Sequence, residues 1–242
     1  MKSTSRIITN LTLNLPEVNF SEGEIILIDK PSGPTSFQIV NRIRKIIDVK
    51  KVGHSGTLDP NASGLMIICT GKKTKVMDSF INLNKSYSGI IKLGLTSPSM
   101  DMETECTEIP IPENIDENEI LDVRNSFLGE IEQIPPMFSA VKINGKKLYD
   151  FARKGKSIER EPRKIFIERF EIIKIKLPEI YFSITCSKGT FIRVIADDFG
   201  KKLHTGAILT ELRRIGIGNF RVEDAITLET FSNNFQMNSI LK

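Results

Sequence analysis

The sequence predicts a mixed α/β fold in which strands and helices interleave without the regular alternation of a doubly wound sheet. Three observations carry this. Residues 85–95 alternate, with Tyr87, Gly89, Ile91, Leu93 and Leu95 on one side, the period of a strand. Residues 36–47 and the segment running through Leu203 repeat apolar residues at helical spacing instead. The chain has 242 residues, 40% hydrophobic and 26% charged. A domain of this size buries roughly 70–75% of its unfolded surface, so a core needs no staples.

In order along the chain, EIILIDK (24–30) reads as a buried strand, stopped by Pro31, Gly33 and Pro34. Thr35 or Ser36 can then cap a helix to about Ile47, with Val40, Ile43 and Ile47 on one face. A Gly-rich loop, VGHSGTLDPNASG (52–64), leads into the apolar LMIIC (65–69). The acidic segment 113–128 predicts a helix. Asn144-Gly145, inside PPMFSAVKINGKKLYDFARKGK (135–156), is a hairpin-turn signal. RKIFIERFEIIKIK (163–176) and IYFSITCS (180–187) predict two further strands. Lys188-Gly189 then turns into a helix, with Ile192, Ile195, Ala196 and Phe199 facing inward. There is no repeat and no low-complexity linker.

Composition excludes several classes. No apolar run approaches the roughly 18 residues of a membrane span. The opening residues alternate polar and apolar and contain no secretory core. Cys69, Cys106 and Cys186 are odd in number and scattered, so they form no disulfide framework. With only His54 and His204 beside them, a structural zinc site is not expected. A reducing cytoplasm is the expected compartment. Charge is blocked: residues 40–75 hold eight Lys/Arg against two Asp, and 101–132 hold eleven Asp/Glu against one Arg. Residues 135–176 hold twelve Lys/Arg against five acids. Two basic blocks can build a face that follows a phosphate backbone, or each can be a solvated surface.

The Gly-rich loop admits several readings. Asp59, Asn61, Ser63 and Gly64 match the opening of a calcium-hand loop, but its twelfth position is Thr70 where a bidentate Glu is required. No Gly-Lys-Ser/Thr ending supports a phosphate loop. Asp59 can cap a turn ahead of Pro60, or it can be a lone carboxylate displayed as nucleophile or proton acceptor.

GHSGTLDPNASG (53–64) resembles the signature loop of the TruB-type tRNA pseudouridine-55 synthases, in which the aspartate is catalytic. LIDKPSGPTSF (27–37), KSYSGIIKLG (85–94), PPMFSAVKINGKKLYDFARKG (135–155), CSKGTFIRVIADDFG (186–200) and ELRR (211–214) resemble further motifs of that family, in family order. The resemblance implies a pseudouridine-synthase fold, with a mixed, largely antiparallel central sheet flanked by helices. Residues 24–242 would form the catalytic domain after an N-terminal extension (1–23), and a basic RNA-binding insertion at about 135–165 would close over RNA. Only 22 residues follow Phe220, from which no C-terminal PUA domain is expected.

The same resemblance implies the site. Asp59 is the catalytic carboxylate, and Arg193 the arginine that pairs with it. Tyr87 stacks on the target base, and His54 helps hold the nucleotide out of its stack. Leu212 packs beside it, and Phe191 stands where many members carry Tyr, so a ring platform is kept and a hydroxyl contact is not. Lys142, Lys146, Lys147, Arg153 and Lys154 would contact RNA. Bland alternatives stand beside most of these: turn cap for Asp59, loop residue for His54, core for Tyr87 and Leu212, an i,i+4 pair with Asp197 for Arg193, and solvated surface for the basic run. Lys30-Pro31 reads as structural. The isomerisation has no net redox change, so neither cofactor nor metal is expected. The expected partner is the tRNA T-arm stem-loop, with no membrane, no obligate protein partner and a monomeric enzyme. A non-catalytic RNA-folding module and a guide-dependent subunit are the alternatives.

Overall fold

The computed structural model describes residues 7–12, 18–143 and 145–236. Its elements begin with β1 (Ile7–Ile8), β2 (Ile25–Lys30), α1 (Ser36–Ile47), β3 (Val52–His54) and β4 (Ser63–Thr70). Next come α2 (Met77–Ile81), β5 (Lys85–Leu93), β6 (Leu95–Thr96), β7 (Thr107–Glu108), α3 (Glu117–Asn125) and β8 (Gly129–Gln133). Then follow β9 (Lys142–Ile143), β10 (Lys146–Lys147), α4 (Leu148–Ala152), β11 (Arg163–Lys176), β12 (Glu179–Cys186) and α5 (Ile192–Lys202). The last are β13 (Ala207–Ile217), β14 (Phe220–Arg221), β15 (Ile226–Thr227) and α6 (Leu228–Gln236). The chain divides into two compact units, one of residues 1–87 and 213–242 and one of residues 88–212.

In the first unit, β2 lies between β1 and β4, antiparallel to β4 with Leu27 opposite Ile67. β3 folds back on β4, placing His54 opposite Ile68. The predicted loop 52–64 is therefore shorter than its composition suggests, because Val52–His54 finds a strand partner across the turn. The β13 residues of this unit run parallel to β4, with Arg213 opposite Ser63 and Arg214 opposite Gly64. Ile25, Leu27, Leu65, Ile67, Phe80, Ile217 and Val222 pack as one buried cluster. α1 starts as predicted: Thr35 accepts from the Gln38 amide while the Gln38 side chain accepts from the Thr35 amide, a capping box. Its buried face is Ile39, Val40 and Ile43, with Ile47 half-buried.

In the second unit, β11 and β12 form a long antiparallel hairpin, and β8 pairs antiparallel with β11. Phe127, Phe170, Phe182 and Phe199 make a ring cluster with centroids 5.8–6.1 Å apart. α3 is capped by Asp116 and joined to β11 where Arg124 donates to the Phe170 carbonyl at 3.0 Å. β9 and β10 pair around the expected turn, with Lys146 opposite Ile143 and Gly145 at φ +79°. Asn144 itself lies outside the described residues, as do parts of the N-terminal extension. Antiparallel pairs predominate, with parallel exceptions at β1/β2, β2/β15 and β4/β13.

Candidate active site

Asp59 lies half-buried on the connection between β3 and β4. Most backbone carbonyls around it are held by a side chain or amide from another segment. Lys30, 0% exposed, donates its ammonium to the carbonyls of Pro31 (2.9 Å), Pro60 (3.1 Å) and Ala62 (2.6 Å). Ser36 Oγ donates to the Leu58 carbonyl at 3.0 Å and accepts from the Leu58 amide at 2.8 Å. Ser32 Oγ donates to the Asn61 carbonyl at 3.1 Å, and the Gly33 amide to Pro60 at 2.9 Å. Leu58 is buried and pins the loop from below. The PSGPTS segment, which reads from sequence as a strand stop and helix cap, also immobilises the aspartate loop.

Lys30 is also the electrostatic neighbour. Burial lowers its pKa from 10.5 to about 8, with the Asp59 carboxylate opposing the shift and Arg214 adding to it. Replacing Lys30 with Met should take the donor from the Pro31 and Ala62 carbonyls and leave Pro60 with the Gly33 amide alone, a loss of about 2 kcal/mol at neutral pH, or roughly 4–8 °C in melting temperature. The pH profile separates this from simple packing. Between about pH 8 and 10.5 the folded chain binds fewer protons at Lys30 than the unfolded chain does. Lys30 therefore adds a component of stability that rises with pH across that window, and Lys30→Met should lack it in thermal unfolding.

His54 ends β3. Its Nδ1 accepts from the Gly56 amide at 3.3 Å, so the other ring nitrogen carries the proton. Burial, with the Arg214 charge adding to it, holds its pKa below the ordinary 6.5, so the ring is neutral at pH 7. Tyr87 is buried in β5, on the face the alternation assigned to it with Ile91 and Leu93.

The ELRR motif stands out in the sequence, where only its leucine has an expected role. Arg213 and Arg214 take opposite sides of β13. Arg213 holds Asp29 bidentately at 3.0 and 2.7 Å, whereas Arg214 points inward and is 1% exposed. Arg214 Nε donates to the Leu65 carbonyl at 2.6 Å and Nη2 to the Gly56 carbonyl at 3.2 Å, and its guanidinium bonds the Tyr87 side chain. Gly64, at φ +105°, permits this: a Cβ there would strike the Arg214 backbone.

The second unit holds Phe191, Arg193 and Leu212. Phe191 is the half-buried N-cap of α5, and Gln133 clamps its backbone like a strand partner, accepting at 2.8 Å and donating at 3.1 Å. Arg193, 3% exposed, donates Nη1 to Asp101 Oδ2 at 3.1 Å. The alternative pairing with Asp197 is not the one formed there: Asp197 takes Lys201, one turn on, at 2.6 Å. Asp101, itself buried, was hidden in the acidic block. Leu212 is half-buried on β13. Lys142, Lys146, Lys147, Arg153 and Lys154 are all exposed, the first three on β9 and β10 and the last two just after α4, with Arg153 lying 4.6 Å over the Tyr149 ring. Among the described residues there is no cluster of His, Cys, Asp and Glu with metal-ligand geometry, and no helix is long and apolar enough to cross a membrane.

Mostly antiparallel strands flanked by helices make the fold of a pseudouridine synthase. The chain belongs to the TruB family: the N-terminal domain model of TruB family pseudouridylate synthases matches residues 44–192. The C-terminal domain model of tRNA pseudouridylate synthase B matches residues 193–240. The tRNA pseudouridine synthase B of Flavobacterium johnsoniae is 47% identical over 224 residues, covering 90% of this chain and 98% of that one. That of Clostridium tetani is 47% identical over 205 residues, covering 85% of this chain and 71% of the other. Among solved structures, a Cbf5-Nop10-Gar1 complex contains a chain that matches with TM-score 0.70 and 30% identity. The match covers 88% of this chain and 54% of that one, so this chain spans about half its length. The pseudouridine-synthase fold expected from the motifs is borne out.

Proposed function

We propose that this chain is a tRNA pseudouridine synthase that isomerises uridine 55 in the T-loop, with Asp59 as the reacting carboxylate. The C1′–N1 bond breaks, the uracil turns, and C1′ bonds to C5; the proton lost from C5 is balanced by one gained at N1. The observation that supports this is the Asp59 loop, an acid held by bonded carbonyls on both sides, in a chain 47% identical to a tRNA pseudouridine synthase B over nearly its whole length. A reacting group must be held within a fraction of an ångström, and this loop is built for that. The target base must leave its stack, at a cost of a few kcal/mol. His54 and Leu212 serve that extrusion, Tyr87 and Phe191 supply ring faces, and Arg193 supplies the cation. Residues 24–242 act as the catalytic region, without a protein partner and as a cytoplasmic monomer.

The exposed basic run on β9, β10 and the turn after α4 supplies grip on phosphates. On an isolated T-arm stem-loop, Lys146→Ala with Lys147→Ala should weaken binding. The slope of log affinity against log salt should flatten by about one unit per lost contact. Turnover at saturating RNA should change far less, since Asp59 is untouched. An unchanged affinity and slope would place the RNA elsewhere. Pseudouridine formation by the purified chain on unmodified tRNA transcript, without added guide RNA, tests the function itself.

A further inference from the structure

Arg214 stands out among the buried groups of the first unit. A fully buried cation is expensive, and an apolar residue of similar volume would often serve packing as well. Here the guanidinium meets acceptors from three separate pieces of chain: the Gly56 carbonyl on the aspartate loop, the Leu65 carbonyl on β4, and the Tyr87 side chain on β5. Arginine carries five N–H donors and no acceptor. The bond to Tyr87 therefore runs from the guanidinium to the phenolic oxygen, and the phenol's own proton is turned away from Arg214. A planar fork holds its acceptors at angles fixed by one rigid group, and a tetrahedral ammonium on a flexible stem does not reproduce those angles.

We propose that Arg214 is a positioning residue for the isomerisation: it holds the Tyr87 hydroxyl in register with the loop that carries Asp59, oxygen toward the guanidinium and proton outward. This rests on the function proposed above. Burial lowers the Arg214 pKa and Tyr87 opposes that shift, which accords with a phenolic oxygen facing the cation.

The test is single-turnover pseudouridine formation on a saturating T-arm stem-loop, for wild type, Arg214→Lys, Tyr87→Phe and the double variant. Asp59→Asn serves as the control of the underlying reading: full turnover by it would sink that reading whatever Arg214→Lys does. With Asp59→Asn inactive, Arg214→Lys should slow the step about tenfold or more while stem-loop affinity stays within about twofold. In the Tyr87→Phe background the same change should cost less than about threefold, because the hydroxyl it places is gone. Equal costs in the two backgrounds, or no cost in either, would overturn the proposal, since a merely architectural arginine does not depend on that hydroxyl. Should Arg214→Lys not fold, the side-chain ¹H–¹⁵N signals of Arg214 in wild type and Tyr87→Phe decide. They should shift on loss of the hydroxyl, and unchanged signals would overturn the proposal.

Discussion

Asp59→Asn should abolish pseudouridine formation while leaving tRNA binding intact. The amide keeps the volume and most of the hydrogen-bonding capacity of the carboxylate but loses its charge and its nucleophilicity. The loop should keep its conformation, because its backbone carbonyls are held by side chains and amides of other segments. Lys30 holds Pro60 and Ala62, Ser36 holds Leu58, and Ser32 holds Asn61. One electrostatic consequence is expected inside the unit. Asp59 is the group that opposes the downward shift of Lys30, so its neutralisation should carry the lysine below about 8. A mass-based assay of pseudouridine, with affinity measured on the same transcript, checks both halves of the prediction. Substantial residual turnover would remove Asp59 from the chemistry and return it to the role of turn cap.

The parts of the fold that were legible in the sequence are those with a single strong period or a punctuated boundary. Thr35 or Ser36, after Pro34, announced α1, and the alternation around Tyr87 announced β5 and its buried face. Asn144-Gly145 announced the β9/β10 pairing. β13 was not legible: ELRR interrupts its apolar pattern, and only the register with β4 explains why Arg214 is inside and Arg213 outside. β8 was obscured in the same way, since GEIEQ takes its strand character from β11 alongside it. In the site, a motif brought Asp59, Tyr87 and Arg193 forward, but the groups that hold them are spread along the chain. Asp101 precedes Arg193 by 92 positions, and Gln133 precedes Phe191 by 58. No local pattern encodes such a partner. Arg214 left no readable signal either, because two adjacent arginines separate into an inner and an outer one only once β13 is known to be a strand.

Arg193→Lys should lose about a hundredfold in turnover while the protein stays folded, a much larger effect than a change that conserves charge suggests. Two roles for Arg193 make different forecasts. If it serves only as counter-ion to Asp101, one donor is enough, because the pair is a single Nη1 to Oδ2 contact at 3.1 Å. A lysine can supply one such donor, and turnover would survive. If Arg193 is instead the cation of the reaction, Asp101 is its anchor, and the remaining geometry of the planar fork is what matters; that geometry is what lysine lacks. The setting favours the second role. Arg193 occupies the first turn of α5, where a cation opposes the helix dipole. Burying it there to 3% exposure makes the placement more costly still. A purely structural ion pair could sit anywhere along the helix without that cost. Thermal unfolding of Arg193→Lys should therefore move by only a few degrees, since Asp101 keeps a cationic partner. Single-turnover rates on the saturated stem-loop should fall steeply. Near-wild-type rates would assign Arg193 to the architecture of α5 and leave the chemistry to the first unit.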